Sequence, residues 1–171
     1  RSSDLPNSPK SNIAIEDCDI NNGSSGVYRG GYSSDAPDTK TSMTGSLFFK
    51  QYESALALMN EDAPVITNNV VSTLSTYPQY TGLSLETITG QLVVSNNIVT
   101  AANGSVGLNM KNCVAQANSL GQVNNNSIAV GGNGVTYGIY LTGTTDNQVL
   151  NFNRIKLTIS GTEASNQAYY K

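Results

Sequence analysis

Four charged residues have the types and the spacing that acid–base chemistry needs. Glu86 follows the segment GLSL (82–85), and Lys111 follows the similar segment GLNM (107–110). Glu61 and Asp62 lie in a turn after an earlier copy of this segment, ALAL (55–58). A carboxylate whose pKa is tuned by a lysine and that is assisted by a second acid can act as a general acid or base. An ion pair across two strands and two solvated turn acids would explain the same residues without catalysis. We favour this second interpretation.

Tyrosines indicate a second kind of site, one that binds a ligand and does not react with it. Tyr28 and Tyr140 occupy the same outward position of the repeat, and Tyr77 and Tyr80 lie in a loop between two copies. A tyrosine ring buries apolar area while its hydroxyl stays hydrogen bonded, which suits contact with a sugar. These four residues are therefore candidates for glycan binding. The alternative is that they are isolated surface tyrosines.

The sequence gives little support to metal or cofactor chemistry. It has no histidine, and Cys18 and Cys113 lack the spacing of a zinc motif, so we expect two buried free thiols. Calcium is the only metal whose oxygen ligands are present, but Glu16, Asp17 and Asp19 do not have the regular spacing of a calcium loop. We therefore predict no cofactor.

Composition excludes two classes of partner. The net charge is -3 and the calculated pI is about 4.7, so no basic stripe is present to neutralise nucleic-acid phosphates. No apolar run approaches the roughly 20 residues that span a bilayer. Only 12% of the residues are charged, and the abundance of Asn, Ser, Thr and Gly favours turns and strands over helices.

The element that positions all these residues is a repeat of about 28 residues. Four segments share the pattern of an apolar residue, any residue, Asn or Phe, Asn, any residue and an apolar residue: 66–71 (ITNNVV), 94–99 (VSNNIV), 123–128 (VNNNSI) and 150–155 (LNFNRI). A fifth segment, 15–20 (IEDCDI), fits with acidic residues and a cysteine in the polar positions. The second polar position holds Cys18, Asn69, Asn97, Asn126 and Asn153, and the asparagines lie 28, 29 and 27 residues apart.

An asparagine at a tight corner has a physical role. It tolerates the left-handed backbone conformation, and its amide both donates and accepts hydrogen bonds. Coils of parallel strands stack roughly 4.8 Å apart, so these amides can bond to one another as a ladder. We expect Cys18 to be a small inward side chain at the end of that ladder.

A second repeated segment lies between the corners: 26–28 (GVY), 55–58 (ALAL), 82–85 (GLSL), 107–110 (GLNM) and 138–141 (GIYL). Its alternation predicts a strand with one buried face, and one coil is expected to turn Leu83, Leu85, Val94 and Val99 inward. Over 52–59 a helix is the alternative, and we favour the strand.

Together these patterns predict an all-β fold: a right-handed parallel β-helix of about five coils with an asparagine ladder at the sharp corner. Residues 1–171 form a single segment, which we expect to be a piece of a longer chain. Residues 29–50 are expected to form a loop that leaves the stack, with 47–49 returning to it. Neither end of the sequence supplies a polar cap, so the rest of the polypeptide or neighbouring chains are expected to cover both ends.

On these residues the chain resembles the pectate-lyase-like right-handed β-helix, whose short turn carries an asparagine ladder. The resemblance covers nearly the whole chain except 29–50. The Asn-rich coils, together with the segments 138–143 and 168–170, most resemble those of large exported β-helix proteins of Bacteroidota.

The resemblance implies a polysaccharide groove on an outer face, formed by clustered carboxylates. Arg154, Ile155 and Lys156 match a triplet with which polygalacturonases hold a substrate carboxylate. The paired aspartates and the histidine of those enzymes are absent, so we assign the triplet to an ordinary strand with Ile155 inward.

Two functions remain open. The favoured one is a non-catalytic structural or adhesive segment of an exported or cell-surface protein that contacts polysaccharides or other glycans. The alternative is part of a polysaccharide lyase, a hydrolase or a phage tailspike whose catalytic coils lie mainly outside this sequence. The fold alone does not decide between them.

Overall fold

The chain forms a parallel β-solenoid in which three sheets run along the stack of coils. The computed structural model describes residues 9–103, 106–132, 134–159 and 166–171. These residues form 19 strands and no helix, so none of the described segments is a helix that could span a membrane. Successive coils repeat about every 28 residues, and five turns separate the first strand from its last equivalent. The predicted all-β parallel solenoid of about five coils is confirmed.

Each coil contributes one strand to each sheet. Sheet I contains β1 (Ala14–Glu16), β5 (Ser42–Thr44), β8 (Val65–Thr67), β11 (Val93–Ser95), β14 (Gly121–Asn124) and β17 (Gln148–Asn151). Sheet II contains β2 (Asp19–Asn21), β6 (Leu47–Phe49), β9 (Val70–Thr73), β12 (Ile98–Ala101), β15 (Ser127–Gly132) and β18 (Arg154–Ile159). Sheet III contains β3 (Ser25–Gly30), β7 (Ser54–Asp62), β10 (Thr81–Thr89), β13 (Val106–Lys111), β16 (Tyr137–Thr142) and β19 (Gln167–Tyr170), and β4 (Asp38–Thr39) pairs with the end of β7.

The core fills the space between the three sheets. Inward side chains stack on their equivalents in the next coil, and in the middle coils Leu83, Leu85, Val94 and Val99 are at most 1% exposed. Burying each such side chain contributes roughly 1.5–3 kcal/mol. The inward positions predicted for this coil are therefore confirmed. The segment 54–59 lies in β7, so the strand prediction for this copy holds and the helix does not form.

A glycine begins most strands of sheet III because sheet II approaches closely there. A Cβ atom on Gly107 would lie 2.3 Å from Cγ2 of Ile128 and 2.7 Å from the carbonyl oxygen of Gly138. Both distances are shorter than van der Waals contact. The glycine that the sequence places at the start of the strand is therefore required by packing, not by a turn.

The corner between sheets I and II divides two roles between adjacent residues. The first of the two corner residues has a positive φ, which is 58° at Asn68, 57° at Asn96 and 55° at Phe152. The next residue supplies the inward amide. The sequence interpretation assigned both the left-handed conformation and the ladder to one asparagine, and this is wrong because each role requires its own residue.

The ladder runs through the inward amides of the corner. Nδ2 of Asn69 donates to Oδ1 of Asn97 at 3.0 Å, Asn97 donates to Asn126 at 3.0 Å, and Asn126 donates to Asn153 at 2.9 Å. The second hydrogen of Nδ2 goes to a carbonyl of the preceding coil, as from Asn97 to Ile66 at 2.9 Å. Each Oδ1 also accepts the backbone N–H of the neighbouring corner, as from Asn69 to Asn97 at 3.0 Å. The amide of Asn97 is therefore fully satisfied although it is 0% exposed.

Two residues replace asparagine at the first corners. Ser46, which the sequence interpretation missed because its coil was assigned to a loop, accepts the backbone N–H of Cys18 at 3.2 Å and donates its own N–H to Oδ1 of Asn69 at 3.0 Å. Cys18 is exposed and Cys113 is buried, and both are free thiols. The expected burial of Cys18 is therefore wrong, because no described coil covers its side of the ladder.

The loop predicted over residues 29–50 is much shorter in the structure. Strands β5 and β6 lie within it and pair in register with the coils on both sides, with Met43 between Ile15 and Ile66. The prediction is wrong for 38–46, because the Gly- and Asp-rich start of the segment concealed a coil that lacks the asparagine pattern, whereas 47–49 returns to the stack as expected. The segment between β3 and β4, residues 31–37, is the part that leaves the stack.

Candidate functional site on the outer face of sheet III

The outer face of sheet III presents a straight column of tyrosines and small polar residues. Strand register places six residues in this column, in the order Tyr28, Ala57, Ser84, Asn109, Tyr140 and Tyr170. Tyrosines thus stand at both ends, and neutral side chains form the floor between them. The shared position that the sequence gave to Tyr28 and Tyr140 is observed. Tyr170 was not among the candidates, although it follows Ala168 as Tyr140 follows Gly138.

At the end of the column nearer the first coil, a groove of about 360 Å³ forms between the sheet and a loop. Tyr28 on β3, which is 70% exposed, and Tyr77 on the loop between β9 and β10 both line this groove. The remaining lining residues are small or polar: Ser25, Glu53, Ser54, Ala57, Gln79, Thr81 and Ser84. Two of the predicted tyrosines therefore line one groove although they are distant in sequence.

The loop of residues 74–80 holds Tyr77 in place. The backbone N–H of Tyr77 donates to Oγ of Ser75 at 3.1 Å, and the Ser75 hydroxyl donates to the carbonyl oxygen of Tyr52 at 2.5 Å. The ring of Tyr52 packs against the ring of Tyr77 with centroids 5.1 Å apart. The Tyr77 hydroxyl donates to Oε1 of Gln79 at 3.3 Å. These contacts fix the ring before any ligand arrives.

Tyr80 does not belong to the surface site. Its side chain is 0% exposed, and burial raises the pKa of its hydroxyl well above the ordinary value. The loop turns back at this point, since the N–H of Tyr80 donates to the carbonyl oxygen of Tyr77 at 3.1 Å. The sequence could not distinguish the two loop tyrosines, and the prediction that Tyr80 contacts a ligand is wrong because its ring anchors the loop in the core.

At the other end of the column three tyrosines pack on one another. The rings of Tyr137 and Tyr140 stack with centroids 4.6 Å apart and an interplanar angle of 20°. Tyr170 lies 5.4 Å from Tyr137 and 5.2 Å from Tyr140. Because these rings already cover one another's faces, this cluster offers less free aromatic surface than Tyr28.

The candidate acids are not brought together. Nζ of Lys111 lies 2.6 Å from Oε1 of Glu86, which is the predicted ion pair between adjacent coils. Asp62 is half-buried and accepts the hydroxyl of Thr89 at 2.9 Å. Glu61 is 0% exposed, so its expected place as a solvated turn acid is wrong. The reason is register, because Glu61 pairs with the position of the core residue Ile88 and points inward.

Glu61 belongs to a buried charge cluster near the first coil. Its Oε1 lies 3.0 Å from Nε of Arg29, an ion pair without the alignment of a hydrogen bond, and its Oε2 accepts the Thr41 hydroxyl at 2.6 Å. Arg29 also pairs with Asp38 at 2.5 Å. Desolvation raises the pKa of Glu61, and the Thr41 hydrogen bond and Arg29 oppose that rise. Arg29 occupies the column of the core residue Leu58, so the cluster replaces apolar core at this end of the stack.

Neither the metal candidates nor the basic triplet form a site. Glu16, Asp17 and Asp19 are exposed, and among the residues described here no group of three or more His, Cys, Asp or Glu side chains could hold a metal ion. Arg154 and Lys156 are exposed on β18 on either side of the inward residue at 155, as an ordinary strand requires. Burial raises the pKa of the Cys113 thiol to about 12, which leaves it unreactive at neutral pH.

Comparisons with protein-family models, with curated proteins and with solved structures found no match. The function therefore has to be argued from the site alone.

Proposed function

We propose that this chain is a structural and adhesive segment of an exported or cell-surface protein, and that the outer face of sheet III contacts glycans without cleaving them. One observation carries the proposal: the column from Tyr28 to Tyr170 combines aromatic rings with a neutral polar floor along successive coils. Tyrosines beside hydroxyls and amides suit a flexible polar polymer, because each ring covers apolar sugar surface while neighbouring groups hydrogen bond.

The acids support binding over catalysis. General acid–base cleavage of a glycosidic bond uses two carboxyl groups on either side of one bond. Glu86 is paired with Lys111, and Glu61 faces the interior. Glu53 is the one carboxylate among the described residues that line the groove, so the groove offers a single carboxyl group where such cleavage uses two.

Finer assignments belong to the same proposal. The sharp corner with its amide ladder supports a pectate-lyase-like β-helix, and the likeness to exported β-helix proteins of Bacteroidota supports an extracellular location. Leu150 and Ile155 are only partly buried, whereas their equivalents in the preceding coil, Val123 and Ile128, are at most 2% exposed, and this supports a further coil, or a neighbouring chain, that covers the last strands of the stack.

A glycan array followed by an assay for released sugar ends tests the proposal. We expect the protein to bind a subset of glycans, and we expect no new reducing or unsaturated ends after prolonged incubation with the same glycans. Cleavage of any bound glycan would overturn the non-catalytic assignment, and an array without bound glycan would overturn the assigned ligand class.

A further inference from the structure

The groove beside Tyr28 has the properties of a preformed ligand site. Its volume of about 360 Å³ falls in the range of about 300–1,000 Å³ that small-molecule sites occupy. Its described lining includes Tyr28, which is 70% exposed, and Tyr77, whose ring packs against the ring of Tyr52. The groove therefore offers aromatic surface from two side chains to a ligand with apolar faces.

The floor and the rim of the groove supply hydrogen-bonding groups of both kinds. Nε2 of Gln79 makes no hydrogen bond to any described residue, while Oε1 of the same amide holds the Tyr77 hydroxyl. The Ser84 hydroxyl accepts a hydrogen bond from Asn109 at 3.4 Å and keeps its own hydrogen available. The Glu53 carboxylate, which accepts the hydroxyl of Ser24, is exposed at the rim and has further acceptor positions. A ligand rich in hydroxyl groups would satisfy these donors and acceptors.

The charge of the groove selects among such ligands. None of the described residues that line it is a lysine or an arginine, and its one ionisable carboxylate belongs to Glu53. An anionic ligand would face this carboxylate without a compensating cation, and the repulsion would weaken its binding. Arg29, which follows Tyr28 on β3, is already held by Asp38 and Glu61.

We propose that the groove lined by Tyr28 and Tyr77 binds one ring of a neutral glycan, with the sugar ring in contact with both tyrosines, and that it rejects uronic acids. This site rests on the proposed function and narrows it from glycans in general to neutral ones. Gln79 and Ser84 donate hydrogen bonds to the sugar hydroxyls, and Glu53 accepts them. The cluster at Tyr140 and Tyr170 is not part of this site.

The probes are a neutral hexasaccharide of β-1,4-linked glucose and an acidic hexasaccharide of α-1,4-linked galacturonate, titrated by calorimetry and by saturation-transfer NMR. The unmodified protein is expected to bind the neutral probe more tightly than the acidic one. Tyr28→Ala and Tyr77→Ala are each expected to weaken binding of the neutral probe about five- to tenfold, because each removes one aromatic contact. The matched control is Tyr32→Ala, which removes an exposed tyrosine of the segment 31–37, outside both the groove and the outward column, and is expected to leave the affinity unchanged.

Glu53→Gln tests the charge selection separately. Gln keeps an acceptor for the Ser24 hydroxyl and removes the negative charge. The variant is expected to bind the galacturonate probe about tenfold more tightly than the unmodified protein and the neutral probe about equally. An unchanged preference would overturn the charge argument.

The outcomes separate this site from the broader function. If neutral binding survives both Tyr28→Ala and Tyr77→Ala, the groove is not the site, although the solenoid still contacts glycans; loss of binding in Tyr170→Ala would then place the contact at the other end of the column. If the galacturonate probe binds the unmodified protein as tightly as the glucose probe, the neutral specificity is wrong. If neither these probes nor an array of further glycans binds, the site and the glycan-contact function both fail. Unfolding curves for each variant confirm that a lost signal comes from the side chain and not from a misfolded protein.

Discussion

The corner between sheets I and II and the outer face of sheet III arise from the same repeat, but they differ in how much they vary from coil to coil. At the corner, the connection is short in every coil, and the same amide recurs four times with hydrogen bonds of 2.9–3.0 Å. On sheet III, one outward column changes from tyrosine to alanine, serine, asparagine and tyrosine again. The uniform corner is the part that stabilises the stack, and the variable outward column of sheet III is the part that is free to contact a ligand.

The largest expected effect comes from breaking the corner. Asn97→Ala would remove the acceptor of the Asn69 amide and backbone N–H and the donor to Ile66 and Asn126, all of them buried. Leaving these groups unsatisfied is expected to lower the free energy of unfolding by about 3 kcal/mol, as measured by chemical denaturation.

Asn96 supplies the matched control for that corner. Asn96→Ala would alter the adjacent left-handed residue, whose φ is 57°, and would leave the inward amide in place. Its expected cost is about 1 kcal/mol. Equal losses in the two variants would show that the backbone conformation, and not the amide ladder, stabilises the corner.

A somewhat smaller loss is expected where sheet III meets the core. Gly107→Ala would bring a Cβ atom to 2.3 Å from the Ile128 side chain, so the strand or its neighbour must shift. We expect a loss of about 2 kcal/mol in the free energy of unfolding. Gly134→Ala is the control, since a Cβ atom added there would have no described atom within 4 Å beyond its chain neighbours. A Gly107→Ala protein as stable as this control would contradict the close approach of sheets II and III.

The buried cluster of Glu61 is expected to make stability depend on pH. Because desolvation raises the pKa of Glu61 in the folded protein, the folded state holds this proton more tightly than the unfolded state. The resulting stabilisation is present below the unfolded pKa and is lost as pH rises through the folded pKa. The free energy of unfolding of the unmodified protein should therefore fall relative to that of Glu61→Gln as pH rises above the ordinary glutamate pKa of about 4.3 and through the raised pKa of the folded state. A difference that stays constant, or grows in the opposite direction, would contradict the raised pKa.

The smallest effect is expected on the outer face of sheet III. Glu86→Gln would remove the exposed ion pair with Lys111, and such pairs contribute less than about 1 kcal/mol. We expect unfolding midpoints and glycan affinity that are nearly unchanged, measured by denaturation and by calorimetry. Loss of a glycan-cleaving activity in this variant would instead return Glu86 to a catalytic role.

The repeat made much of this structure predictable, because a solenoid places residues one period apart in contact. The ladder positions from Asn69 to Asn153, the inward leucines and the Glu86–Lys111 pair all follow from the period. Strand β5 and the corner that follows it were missed because Gly45 and Ser46 stand where the next three coils have Asn-Asn.

The candidate site was less predictable. The pairing of Tyr28 with Tyr77 depends on how the loop 74–80 folds back, and no periodicity describes a loop that occurs once. The inward direction of Glu61 depends on the full length of β7, because the strand continues through a residue with positive φ, Asn60, before it ends. A pattern of apolar residues cannot reveal a charge that is buried with its own partner.

The most direct test of the division between the two regions compares Asn97→Ala with Tyr28→Ala, with both variants studied where they are fully folded. The affinity for the neutral glucose hexasaccharide and the free energy of unfolding are measured for each. The account predicts that Tyr28→Ala loses affinity at unchanged stability, whereas Asn97→Ala loses stability at unchanged affinity. Weakened binding in Asn97→Ala together with normal binding in Tyr28→Ala would contradict it.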